Sequence, residues 1–265
     1  MIIVGSMSAA KMKRQGSAEE LTPFLDSLSH NSIYFENTYT AGKHTFNGIF
    51  STLFSFPALY CQHSMKNNIQ YDGISTSLLN NGYSTTYFTT HDSQFDNVEG
   101  FLRANDFQNV MSQSDYPISV VKTTLGVPDD YMFGFSIPKI NELAKKENLF
   151  FVSFMTTSDY SPFYVPEYFK PKATDIESQI TQYADWSLQQ FIKLTLKENW
   201  FNNTIFFVAD HGAAIKAKYD ISLNYFHKPL IIYAPELFKV SEVHYKNEAK
   251  LMFILTLWVF LSKSI

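Results

Sequence analysis

Short apolar runs in this chain alternate with stretches whose apolar residues recur every three or four positions. That rhythm predicts strands interleaved with helices, an α/β organisation. "IIV" at 2–4, "IYFENTYT" at 33–40, "LFFVSFMTT" at 149–157, "TIFFVAD" at 204–210 and "PLIIYAP" at 229–235 predict strands. A helix is predicted over 18–32, where Leu21, Phe24, Leu25 and Leu28 share one face. Another is predicted over 45–55, where Ile49, Phe50, Leu53 and Phe54 align and Thr45 stands near the start. "SLLNNGYSTTYFTT" reads as a helix stopped by Gly82 and followed by a strand, and "FSIPKINELAKK" as a helix. The longest helical pattern runs from 176 to 199, with Trp186 and Phe191 on its core side. Without an internal repeat, linker or low-complexity tract, residues 1–265 predict one domain.

Composition sharpens this picture in a few respects. At 265 residues and 45% hydrophobic content the chain can bury a substantial core, and its 25 Phe and 16 Tyr predict thick packed layers. A net charge of −4 leaves no basic footprint, so nucleic acid is not an expected partner. The single cysteine, Cys61, excludes an internal disulfide and a cysteine-based zinc site. The start, "MIIVGSMSAAKMKRQG", lacks a signal-peptide core. "LMFILTLWVFL" near the end is shorter than the ~20 residues a membrane-spanning helix needs. Read alone, the chain predicts a soluble domain.

Polar residues with chemistry to offer gather where predicted strands have just ended. They are Ser6, Thr40 to Thr45, His91 and Asp92, Ser158 and Asp159, and Asp210 and His211. Open α/β sheets bind ligands at the carboxyl ends of their strands. Asp210 and His211, in "FFVADHGAAI", supply an oxygen and a nitrogen donor for a divalent cation, and Thr45 could add a hydroxyl. The same Asp-His-Gly also fits a capped loop, and a Thr at a helix start also fits an N-cap. A helix N-terminus behind Thr45 would offer backbone N–H groups to an anionic substrate, which suits phosphoryl transfer. Lys43 and His44 flank Thr45 and could steady a phosphate or simply be solvated; His30, His63 and His244 stand in no motif and predict surface positions.

Taken together, "SMSAAKM", "ENTYTAGKHTFNGIFSTLFSFPAL", "LLNNGYSTTYFTTHDSQFDN", "LGVPDDYMF", "TTSDYSPFYVPEYF", "YADWSLQQF", "FFVADHGA" and "HKPLIIYAP" span almost the whole chain. They resemble the catalytic domain of the alkaline phosphatase/sulfatase superfamily, in its lipoteichoic acid synthase and phosphoethanolamine transferase branch. The resemblance implies a three-layer α/β/α sandwich with a mostly parallel central sheet. It implies transfer of a phosphate-linked head group through a covalent intermediate on Thr45, which also touches the metal. It places that cation, Mn²⁺ or Zn²⁺ with Mg²⁺ as a further option, on Thr45, Asp210 and His211. It puts His227 on the substrate side or near a second metal, with His91, Asp92, Tyr160 and Lys43 as further substrate-side positions. The implied partner is a phospholipid or polyol-phosphate head group. Relatives reach the membrane through helices absent from this chain, with the catalytic domain on the extracytoplasmic face of a bacterial membrane.

Departures from the family pattern are equally specific. The family ends its first strand in a metal-ligating Glu, and this chain has Gly5 there. The His expected in the motif resembling "TTSDHGPY" is Tyr160. A first-strand carboxylate is a direct ligand, so its absence implies weakened cation binding and leaves a catalytically impaired member as the competing reading. A plain phosphodiesterase or phosphatase is a third reading. Cys61 lacks the Pro-x-Arg context of formylglycine sulfatases, which with Thr45 disfavours sulfate-ester hydrolysis by that route. The segment 249–265 is atypical for the family; with suitably chosen codons its "KLMFILTLWVF" reads as a frame-shifted version of the family's usual terminal segment, and it also fits an ordinary hydrophobic terminal helix. On the first reading a longer natural protein is expected.

Overall fold

In the computed structural model the described residues are 1–40, 42, 44–57, 63–66, 69–146, 149–210, 226–234, 236 and 242–249, without the side chains of 207, 209, 210 and 242–249. Eight strands form one sheet: β1 (Ile2–Val4), β2 (Ile33–Tyr39), β3 (Ser84–Thr89), β4 (Asn109–Met111), β5 (Phe150–Met155), β6 (Phe206–Asp210), β7 (His227–Tyr233) and β8 (Glu242–Ala249). Their spatial order is β4-β3-β5-β1-β6-β7-β2-β8. β7 is antiparallel to both its neighbours, β6 and β2, while the other pairings are parallel. The carboxyl ends of the parallel strands and the start of β7 therefore share one edge.

Helices cover both faces, and the strand residues divide between them with a period of two. In β1, Ile3 joins one buried cluster and Ile2 and Val4 the other. The same split separates Ile33 and Phe35 from Tyr34 in β2, and Leu230 and Ile232 from Ile231 in β7. One face carries α2 (Thr45–Phe54), α3 (Ile74–Asn80) and α4 (Val98–Ala104), and the other α1 (Pro23–His30), α5 (Asp129–Lys145) and α6 (Ile176–Thr195). This is the expected α/β/α sandwich with a mostly parallel sheet. Two-sided burial explains why the strands read as unbroken apolar runs.

The helix ends show where local chemistry overrides periodicity. α1 begins at Pro23 rather than at 18, because Pro is preorganised for a first helical position and lacks the N–H that would go unpaired there. The next two N–H groups, of Phe24 and Leu25, are each accepted at 2.8 Å by the Asp185 carboxylate of α6. α3 stops as expected near Gly82, whose φ of +83° suits glycine, and the Tyr83 N–H returns to the Leu78 carbonyl at 3.0 Å. α5 begins six residues before the predicted segment, with Asp129 and Asp130 complementing the helix dipole in its first turn. α4, β4 and β8 had no predicted counterpart. Residues 250–265, nearly all of the segment 249–265 that was expected to be atypical, lie outside the described residues.

Candidate active site

Thr45 is the first residue of α2, the helix that follows β2 across the loop from Thr40 to His44. His44, the N-cap residue, is extended (φ −102°, ψ 152°) and no side chain caps the helix. The first N–H groups of α2 are therefore not taken by a capping side chain, and the positive end of the helix dipole lies beside the Thr45 hydroxyl. That hydroxyl shares a hydrogen bond of 3.1 Å with the phenol of Tyr160, which is 115 residues further along the chain.

Tyr160 sits on the loop after β5, which is bound tightly to the loop after β1. The Gly5 N–H donates to Thr156 Oγ1 at 3.0 Å, and the Thr156 N–H to the Ile3 carbonyl at 3.1 Å. Lys11 forms an ion pair with Asp159 and donates to the Ser6 carbonyl at 3.4 Å. Ser6 holds a left-handed backbone (φ +61°), uncommon for a residue with a side chain. Asp159 is buried, and burial raises its carboxyl to about 6 against the opposing pull of Lys11 and Lys228. With two ammonium groups near it, the carboxylate form is the one this geometry serves.

Behind these loops lies a second buried carboxylate. Asp129, 1% exposed, accepts the Thr157 N–H at 3.1 Å and the Ser158 N–H at 3.4 Å. Burial pushes it up to about 7, with the hydrogen bonds working against that rise. Thr157 also shares a hydroxyl hydrogen bond with Thr90 at the end of β3. The loops after β1, β3 and β5 are thus tied together at one edge of the sheet, the rigid support a reacting group requires.

Other sequence-predicted positions fall along the same edge. Asp210 closes β6 with its backbone in register with Val4, one residue before Gly5. Its side chain, together with His211 and Lys43, lies outside the described residues. His227 opens β7 opposite Tyr39, stacks on that ring with centroids 5.2 Å apart, and donates from Nε2 to the Glu36 carbonyl at 2.7 Å. His91 is buried, bonded through Nδ1 to Thr89 Oγ1 at 2.5 Å, and burial lowers it to about 4, so it is neutral at pH 7. Asp92 is exposed and accepts the Gln94 N–H at 2.9 Å.

His63 corrects the sequence reading. Instead of a bare surface position it is a half-buried residue whose Nε2 meets Asp96 Oδ1 at 2.9 Å. Its ring stacks on Phe46, next to Thr45, with centroids 3.8 Å apart. No motif marks it, and its partners Phe46 and Asp96 are remote in the chain. His30 is exposed as predicted.

Whether the described residues suit a cation can be tested at Gly5. A Cβ built there would overlap the Thr156 carbonyl oxygen and come within 2.7 Å of Tyr160 Cε2. A carboxylate reaching in from the end of β1 does not fit that space. Among the described residues, no three His, Cys, Asp or Glu side chains come together. The family's ligand set thus fails at its first-strand member.

Comparison with solved structures agrees with this architecture. A protein of the alkaline phosphatase superfamily from Vibrio parahaemolyticus superposes with a TM-score of 0.90 at 21% identity, over 98% of this chain and 65% of the other, so this chain spans about two thirds of its length. The lipoteichoic acid synthase LtaP from Listeria monocytogenes gives 0.81 at 18% identity, over 97% and 70%. The phosphonate monoester hydrolase of Agrobacterium radiobacter gives 0.68 at 11%, over 98% and 73%. At such identities the likeness shows a shared fold, that of the alkaline phosphatase superfamily. The sulfatase family model matches residues 1–258, and on that match the chain belongs to the sulfatase family.

Proposed function

We propose that this sulfatase-family chain transfers a phosphate-linked head group, of phosphoglycerol or phosphoethanolamine type, through a covalent intermediate on Thr45. The observation that carries the reading is the position of the Thr45 hydroxyl. It lies at the uncapped start of a ten-residue helix, on the sheet edge where Asp210 ends β6 and His227 begins β7. The Thr45 oxygen attacks phosphorus and gives up its proton, and the lipid or polyol oxygen leaves with its bonding pair and takes up a proton to become the alcohol. Phosphate oxygens accept N–H groups from the first turn of α2, which neutralises part of the charge that develops. The acceptor alcohol or water then attacks the same phosphorus, the bond from phosphorus to Thr45 breaks with its pair on the Thr45 oxygen, and the proton lost by the acceptor restores the Thr45 hydroxyl. A divalent cation, Mn²⁺, Zn²⁺ or Mg²⁺, would be held by Asp210 and His211 beside Thr45. The donor is a phospholipid or polyol-phosphate rather than a nucleic acid, and the protein works on the extracytoplasmic face of a bacterial membrane. Among the described residues no helix is long and apolar enough to cross a membrane.

The test is incubation with bis(p-nitrophenyl) phosphate and with phosphatidylglycerol or phosphatidylethanolamine vesicles, each with Mn²⁺, Zn²⁺ or Mg²⁺. Mass spectrometry then follows the peptide that carries Thr45. A phosphate-linked adduct on that peptide, absent from Thr45→Ala, is the expected result. Turnover by Thr45→Ala would remove Thr45 from the chemistry. Inertness of the unaltered chain under all conditions would leave the impaired-member reading, which Gly5 and the overlap at its Cβ favour.

A further inference from the structure

The space beyond Gly5 and the hydroxyl of Thr45 meet at one residue, Tyr160. Its Cε2 lies 2.7 Å from where a Cβ on residue 5 would be, closer than carbon atoms approach without displacement. Its hydroxyl lies 3.1 Å from Thr45 Oγ1. The ring therefore spans the distance from the end of β1 to the start of α2. Its own loop is held by Thr156 on the Gly5 N–H and by Asp159 on Lys11.

We infer that Tyr160 is the positioning residue for Thr45 in this chain, and that Gly5 is the condition for its doing so. A ring at 160 and a side chain at 5 compete for one volume, so the site is built around a phenol where a carboxylate from β1 would otherwise enter. The hydrogen bond fixes the rotamer of a hydroxyl on a β-branched residue, whose χ1 is already restricted. A fixed oxygen has fewer unproductive orientations before it attacks, and misplacement of about 1 Å costs about a hundredfold in rate. This inference rests on the proposed role of Thr45, but its steric half stands without it.

Two double-mutant cycles in thermal unfolding test the geometry without requiring turnover. The first combines Gly5→Ala with Tyr160→Ala. Shared space makes the fall in Tm on adding the methyl smaller in Tyr160→Ala than in the unaltered chain, though the Thr156 carbonyl keeps it from vanishing. The second combines Thr45→Val with Tyr160→Phe, each deleting one hydroxyl, and the two falls in Tm sum to more than that of the double variant. Additive shifts in both cycles would overturn the inference. Kinetics with bis(p-nitrophenyl) phosphate then separate positioning from mere support. Tyr160→Phe, which keeps the ring, lowers kcat about 10- to 100-fold with KM unchanged. An unchanged kcat in Tyr160→Phe, with Thr45→Ala inactive, would sink the positioning role and leave Thr45 as nucleophile. Inactivity of the unaltered chain would sink both roles and leave the shared volume as the finding. A Mn²⁺ titration closes the set: Gly5→Glu gains no affinity while Tyr160 is present, and a gain there would show that the two residues are not exclusive.

Discussion

Lys11 reaches from the loop after β1 to Asp159 in the loop after β5, and this ion pair helps tie the first loop to the one whose Tyr160 bonds Thr45. The Asp159 side chain is almost fully enclosed while the Lys11 side chain keeps about a quarter of its exposure. Removing the two partners should therefore cost differently. Asp159→Asn removes the buried charge that Lys11 pairs with and should destabilise the chain by about 3 kcal/mol. Lys11→Met keeps the packing of the stem and leaves Lys228 near the carboxylate, so its cost should be smaller. Urea unfolding of the two variants gives the comparison, and an equal loss would deny Lys228 a part in the cluster.

Asp185 links α6 to the start of α1 by accepting two N–H groups that the helix itself cannot satisfy. Asp185→Ala should cost about 1–2 kcal/mol, the usual worth of a lost helix cap. Asp185→Asn keeps one carbonyl acceptor and should retain about half of that. Hydrogen exchange at Phe24 and Leu25 is the direct reading, since their amides lose protection first.

The buried carboxylates and the buried imidazole give stability two opposing pH limbs. Asp129 and Asp185 are each raised by burial from 3.8 to about 7. Between those values the folded chain holds protons that the unfolded chain has released, so stability falls as pH rises from about 4 to about 7. His91 is lowered from 6.5 to about 4 by burial, against the pull of Asp92 and Asp96, so its contribution is lost as pH falls across that window. Urea midpoints between pH 4 and pH 8 should therefore show that Asp129→Asn flattens the descent toward neutral pH. His91→Gln should flatten the loss on acidification. A reversal of either slope would refute the assigned burial.

Asp96 has two jobs that a single substitution can part. It pairs with His63, and it holds a left-handed backbone at φ +55° beside Asn97 at +57°. Asp96→Ala loses the pair and keeps the strain, whereas Asp96→Gly loses the pair and relieves the strain. The alanine variant should be the less stable by about 1 kcal/mol. Equal stabilities, measured by thermal unfolding, would mean that the turn relaxes.

What was legible in the sequence follows from the range of the forces involved. Strands buried on both faces show themselves as apolar runs, so β1, β2, β5, β6 and β7 could be placed to within about two residues at each end. β8, "EVHYKNEA", lies at the sheet edge and alternates polar and apolar residues without a run. β4 and α4 have three and seven residues, too short for a period to emerge. The start of α1 was misjudged because Leu21 continues the apolar face past Pro23. At the candidate site, helical spacing alone put Thr45 at a helix start. Neither the bond from Thr45 to Tyr160 nor the pair of His63 with Asp96 carries a local signal, because each joins segments remote in the chain. Gly5 and Tyr160 were visible as separate departures from a pattern, and only coordinates show them competing for one volume.

The reversed course of β7 has a consequence for how this rim could be altered. Every parallel strand delivers its last residue to the working edge, where a replacement also disturbs the turn that follows. His227 arrives there as a first residue, and the chain leaves it directly into Leu230 and Ile231 at the heart of both apolar layers. A new side chain at 227 thus inherits an anchor already fixed by the core, which makes this position the natural place to alter this edge of the sheet while the fold stays as it is.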